Sequence, residues 1–290
     1  MSSTTQISDL QKKPLSPDMD EWEEFLEGRY KEGKSEKEFR QYDAEADPGV
    51  AEFYRLNHTY QTHAYALDKE HQYFRLTRGE KSIWEAAEFL NTLVDDSDPD
   101  TDLTQLEHLL QTSEAIRKDG HPRWMVATGF VHDLGKCLCL YAEPQWGVVG
   151  DTFPTGCAYS DAVVFPEYFH ANPDSQNPQY QTKLGIYEEN CGLDKVTMSF
   201  GHDGYIYQVM KNYLPLESLY MLRYHSFYAW HRHGAYDYLC NDQDRAMLPW
   251  VLKFNPYDLY SKGHIKPDFN QLKPYYDDLF AEFFPDKIAW

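Results

Sequence analysis

The side chains with the most chemistry to offer are histidines and aspartates. His132-Asp133-Leu134-Gly135-Lys136 directly follows the apolar stretch Trp124–Val131. Neighbours on a helix lie about 100° apart, so His132 and Asp133 cannot share one narrow face. They can flank a metal site, with the carboxylate bridging two ions and the imidazole on one of them. Alone, a His-Asp pair is weak evidence, because a hydrogen bond on a helix surface explains it equally well. Its company adds the weight. His108 lies upstream, His202 sits within Gly201-His202-Asp203, His225 precedes Ser226, and Asp258 follows a helix break expected at Asn255-Pro256. This order supplies nitrogen and oxygen donors without thiolate, a set that suits iron, manganese or cobalt and could accept zinc. Six protein donors shared by two ions leave positions open for substrate and for an oxidant or water. Other histidines fit less well. His58 and His63 have poor ligand spacing on one helix, and His231 with His233 reads as a helix end in solvent. Lys136 follows Asp133 by three residues and His132 by four, so helical spacing can bring it to the same side; the bland alternative is a solvated helix charge.

Helices must position these groups. Apolar periodicity predicts helices over 51–76, 81–94, 104–118 and, opened by Pro122, to about Tyr141. The stretch 95–100, Asp-Asp-Ser-Asp-Pro-Asp, reads as a loop. Residues 142–193 are rich in Pro, Gly, Asn, Asp and Tyr and read as long loops with short elements. Helices resume over about 194–212, 215–231 and 242–254. Alternation of β-branched residues is scarce, so the expected fold class is all-α, mainly helical: one bundle with a long loop insertion. Residues 1–35 read as a flexible arm with a short amphipathic piece at Glu21–Tyr30, and 36–290 as the domain.

Composition narrows the function. The chain has 290 residues, 42% hydrophobic and 16% aromatic, which marks a globular protein with a real core. Its formal net charge of -20 and its lack of any Lys/Arg block argue against nucleic acid and anionic membrane as partners. No apolar run approaches the roughly 18 residues of a membrane span, and the N-terminal residues carry no secretory core. Cys137, Cys139, Cys157, Cys191 and Cys240 are odd in number and irregularly spaced, which fits reduced thiols in a cytoplasmic protein. Asn57-His58-Thr59 matches a glycosylation sequon, which has no meaning in that compartment. No GxGxxG or P-loop pattern points to an organic cofactor.

The donor order resembles the HD-domain superfamily, most of whose members are metal-dependent phosphohydrolases; one branch uses two irons to activate dioxygen. The run 143–154 (EPQWGVVGDTFP) looks like the signature loop of the myo-inositol oxygenase family. So do Leu93–Asp100, Gln111–Lys118, Gly201–Tyr207, His225–Trp230, Asp242–Trp250 and Pro274–Tyr276. The resemblance runs from about residue 36 to Trp290. It implies an HD-domain-like bundle in which a mixed-valent Fe(II)/Fe(III) centre cleaves the ring of myo-inositol with dioxygen, giving D-glucuronate and water. Substrate supplies all four electrons, so no nicotinamide or flavin is implied.

By the same resemblance His108, His132 and Asp258 would hold one iron, His202 and His225 the other, and Asp133 would bridge them. Arg40, Asp95, Asp96, Ser97, Lys136, Gly150, Asp151, His225 and Ser226 would contact substrate, with Lys136 and Asp133 acting in catalysis. Hydroxyls on a polyol make carboxylates, Ser and Arg sensible partners. Each has a plainer reading: a surface ion pair for Arg40, a helix-end turn for 95–97, a loop turn for Asp151, and core packing for Tyr54, which could also close over the site. Two departures from the family pattern stand out. Position 96 is often Glu there, and the segment around Asn212–Pro215 is shorter than in animal members. The alternative enzyme is a metal-dependent phosphohydrolase on the same scaffold. A different class is a catalytically silent partner-binding protein.

Overall fold

The computed structural model describes residues 48–93, 104–260 and 267–290. The arm, Arg40, Val94 and Asp95, Asp96 and Ser97 lie outside the described residues. The all-α expectation is met. The named strands are β1 (Glu80–Lys81) and β2 (Ile288–Ala289), paired antiparallel with Lys81 opposite Ile288. This ribbon anchors the C-terminal residue: Trp290 is fully buried, and its backbone N–H donates to the Gly79 carbonyl at 2.9 Å.

The chain opens with α1 (Pro48–Tyr60) and α2 (His63–Tyr73). The single helix expected over 51–76 is broken because Thr62 caps α2, its side chain accepting from the Tyr65 N–H. α3 (Ile83–Leu90) and α4 (Gln105–Lys118) each start with a capping box, Ser82 with Glu85 and Thr104 with Glu107. α5 (Arg123–Val131) follows Pro122, as expected, but ends early. His132 closes it, and Leu134–Tyr141 is a 3-10 helix.

Residues 142–201 are irregular, with 3-10 turns that include Pro166–Ala171, Pro173–Gln176 and Pro178–Gln181, each opened by proline. This segment folds over a second apolar cluster that includes Phe153, Phe169, Leu193, Val196 and Trp230. The helix expected from about 194 begins only at His202. Before it, Ser199 N–H donates to the Phe153 carbonyl and Phe200 N–H to the Gln61 side chain. Those backbone groups are satisfied by the loop and by Gln61, between α1 and α2, so helix formation gains nothing there.

α6 (His202–Met210) packs on α7 (Leu216–Tyr224), which is followed by the short α8 (Tyr228–His231). α9 (Asp242–Tyr260) corrects the expected break: it runs through Pro249 and Pro256, so Asp258 lies inside a helix. An interior proline costs about 3 kcal/mol. Burial of Val251, Phe254, Asn255 and Tyr257 against α4, α5 and α7 outweighs it. α10 (Phe269–Phe283) was not expected as a helix. It packs on α5, and Phe280 meets Phe130 at a ring separation of 4.8 Å.

Candidate metal centre

Five helical segments deliver the predicted donors to one buried place. His108 comes from the first turn of α4, His132 and Asp133 from the end of α5, His202 from the start of α6, His225 from the end of α7, and Asp258 from α9. Helix ends are where a chain can aim a side chain without spending an interior turn on it. Gly135 lets the halves meet. A Cβ there would lie 2.2 Å from the His202 carbonyl oxygen, so only glycine allows the turn after Asp133 to rest on the backbone of α6.

Asp133 is at the middle. Its Oδ2 lies 3.5 Å from His108 Nε2 and 3.4 Å from His132 Nε2; its Oδ1 lies 3.4 Å from His202 Nε2 and 3.8 Å from His225 Nε2. Asp258 Oδ1 closes the first pair at 3.1 Å from His108 and 3.2 Å from His132. Two groups of side chains that could hold a metal ion result: His108, His132 and Asp133, and Asp133, His202 and His225.

The hydrogen bonds behind the rings decide what the ring fronts offer. Nδ1 of His132 donates to the Gly129 carbonyl, that of His202 to Val148 and that of His225 to Leu222, at 2.8, 2.8 and 3.0 Å. A carbonyl only accepts, so each Nδ1 carries a proton, and each ring in its neutral form turns its Nε2 lone pair inward. His202 Nε2 and His225 Nε2 then face each other at 3.1 Å with carboxylate oxygens beside them. Lone pairs converging in a buried space call for cations between them. The donor set, imidazole and carboxylate without thiolate, fits borderline divalent or trivalent metals.

The electrostatics agree. For Asp133, burial works to raise the carboxyl, but His132 and the Lys136 ammonium outweigh it and hold it well below the usual carboxylate range. Burial likewise opposes ionisation of Asp258, and His132 and His108 hold it low. For His225 burial pushes the ring down, yet Asp203 above all, with Asp133 and Asp258, lifts it to about 9. A proton there answers the same electrostatic demand as a metal ion.

Lys136 Nζ lies 2.9 Å from Asp133 Oδ2, and its side chain is 12% exposed, so it is no solvated helix charge. Asp151 is buried and accepts from the Tyr54 hydroxyl at 3.1 Å. Tyr54 is therefore both core and a contact of a predicted site residue. Gly150 sits beside them at φ +85°, a backbone conformation that favours glycine. Ser226 is buried next to His225.

Sequence reasoning passed over two groups. Asp203 is buried, with Oδ1 3.0 Å from His202 Nε2; the signal was available, since His202-Asp203 repeats His132-Asp133. His231 is buried, not a helix end in solvent, and its Nε2 donates to the His225 carbonyl at 3.0 Å. Only His233 is exposed of that pair. Asn57 of the sequon is buried and donates to the Trp146 carbonyl.

An all-α fold that gathers four histidines and two aspartates at its core defines a helical protein built around two potential metal sites. The profile of the family described as myo-inositol oxygenase matches residues 47–290. An inositol oxygenase of Dictyostelium discoideum is 49% identical, covering 89% of this chain and 91% of the relative. Inositol oxygenase 1 of Arabidopsis thaliana is 51% identical over 87% of this chain and 84% of the relative, and inositol oxygenase of Danio rerio 45% identical over 89% and 95%. The chain belongs to the myo-inositol oxygenase family.

Proposed function

We propose that this chain is an inositol oxygenase that cleaves the ring of myo-inositol with dioxygen to give D-glucuronate and water, and that its cofactor is a mixed-valent pair of iron ions. The observation that carries the reading is Asp133 facing two histidine pairs at once, in a chain of this family. His108, His132 and Asp258 would hold one ion and His202 and His225 the other, with Asp133 between. Such a centre would supply Lewis acidity toward a substrate hydroxyl and redox capacity toward dioxygen.

The chain's own groups do the rest. Lys136 sits where an ammonium favours an alkoxide over a hydroxyl. Asp151, held by Tyr54, and Ser226 accept hydroxyl protons and orient the ring; Arg40, Asp95, Asp96 and Ser97 join them on the strength of the family resemblance. Substrate provides four electrons and dioxygen takes four, so no organic cofactor enters. Residues 36–290 are the HD-type catalytic domain in this reading, and the cytoplasm is its setting, in keeping with free cysteines and net negative charge. Among the described residues no helix is long and apolar enough to cross a membrane. The phosphohydrolase alternative is not favoured, since the relatives named above are inositol oxygenases.

The test is oxygen uptake by anaerobically iron-loaded protein on adding myo-inositol. One dioxygen consumed per glucuronate, without a stoichiometric reductant, is expected. Phosphate release from nucleotides with no oxygen uptake would overturn the reading.

A further inference from the structure

The two histidine pairs are flanked alike. In the first, a second carboxylate, Asp258, stands across from Asp133 and within 3.2 Å of both Nε2 atoms. In the second, Asp203 takes the matching place, with Oδ1 3.0 Å from His202 Nε2 and 3.5 Å from His225 Nε2. The likeness stops at the other bonds. Asp203 is bound through both oxygens to one residue: Ser226 N–H donates to Oδ2 at 3.0 Å, and Ser226 Oγ lies 2.9 Å from Oδ1. An ionised carboxylate only accepts, so the Ser226 hydroxyl must give its proton to Asp203. Its Oγ then presents lone pairs alone, and it lies 3.5 Å from His202 Nε2, at the edge of the second pocket.

We infer that Asp203 is a positioning residue: it locks Ser226 as a hydrogen-bond acceptor for a substrate hydroxyl beside the second metal pocket. The inference rests on the functional reading above, in which Ser226 meets a polyol. A polyol bound to a cation has acidified hydroxyls that are strong donors, so an acceptor fixed in advance recognises it better than a hydroxyl free to rotate.

Asp203→Asn is the informative change, because shape is kept and bonding is not. The Ser226 backbone N–H cannot reverse, so the carboxamide oxygen must face it and the amide N–H2 must face Oγ. The Ser226 hydroxyl then accepts from Asn and points its own proton at the substrate. In calorimetry with metal-loaded, oxygen-free protein and myo-inositol as the probe, Asp203→Asn and Ser226→Ala should each weaken binding about tenfold, the scale of one charge-assisted hydrogen bond. The double variant should lose about tenfold also, and not about a hundredfold, because both changes remove one device. Metal content should stay at that of the parent. KM for inositol should rise while kcat at saturation changes little.

Parent-like inositol affinity in Asp203→Asn overturns the inference, as does a multiplicative double variant. Loss of one metal equivalent also overturns it, making Asp203 a ligand. If Asp203→Asn does not fold, Asp203→Glu replaces it: charge and acceptors are kept but shifted by one methylene, so affinity should fall with metal retained, and parent-like affinity overturns the role. A parent that does not bind myo-inositol refutes the functional reading and this inference together; a parent that binds beside an Asp203→Asn that binds equally refutes this inference alone.

Discussion

Lys136 shows how one side chain's setting separates two readings of a motif. The bland reading of HDxGK ends in a lysine waving in solvent, whereas Nζ lies 2.9 Å from the carboxylate that faces both histidine pairs. An ammonium about 4 Å from a developing alkoxide contributes roughly 4 kcal/mol at an effective dielectric near 20, or about three pKa units. That is enough to decide whether a polyol hydroxyl ionises at neutral pH. Arginine is a poor substitute, since its planar fork does not fill the place of a compact ammonium. Lys136→Ala and Lys136→Arg are expected to keep the parent's metal content but to bind inositol poorly and turn over very slowly. Iron content, read beside the change in the iron spectrum on adding inositol, checks this. Parent-like oxidation by Lys136→Ala would return Lys136 to a structural role. The donor types are legible in the sequence because a metal site demands particular elements and histidines are few enough to stand out; the aspartates, far more numerous, are picked out by the family resemblance. His231 is not legible, because its role depends on which carbonyl a distant helix end places beside it; Asp203 carries a signal, the repeat of His132-Asp133 in His202-Asp203, but its bonds to Ser226 are set by the fold.

Among the elements, the close seat of the 3-10 helix Leu134–Tyr141 on α6 is the joint between the two halves of the centre. A Cβ at position 135 would meet backbone, at 2.2 Å from the His202 carbonyl oxygen and 2.9 Å from its carbon, so no side chain can swing away. Gly135→Ala must push α6 from Asp133, and overpacking of this kind costs about 1–3 kcal/mol. It is expected to melt earlier than the parent and to lose metal from the proposed pocket of His202 and His225 before the proposed pocket of His108, His132 and Asp258. Metal content and a thermal melt measure both; two equivalents with an unchanged melt would show that the joint tolerates a side chain. Helix existence is legible from apolar periodicity and from caps such as Thr104 with Glu107. The break expected at Asn255-Pro256 is the instructive miss. Local propensity opposes a helix there, but burial of α9 against α4, α5 and α7 prevails, and no window of sequence contains that packing. The early end of α5 is of the same kind: the chain leaves the α-helix at His132, where two of the candidate metal donors stand side by side.

At the scale of the whole molecule, four separate stretches of chain, from α4, α6, α7 and α9, converge on the end of α5 at His132 and Asp133, with their inward Nε2 and carboxylate oxygens desolvated together. Burying this many donors without cations would be costly, because each lone pair loses water and gains a like neighbour. The fold is therefore expected to be completed by its ions, and the long segment 142–201 helps by supplying the Val148 carbonyl that turns His202 inward. That segment is legible in the sequence only as irregular, since its 3-10 turns and loop-satisfied backbone follow no period. The most direct test of the account is the number of iron equivalents that chelator-treated protein takes up per chain under anaerobic conditions. The arrangement around Asp133 predicts saturation at two, with a spectrum of coupled irons. Saturation at one, or zinc held with no sign of coupled irons, would contradict it.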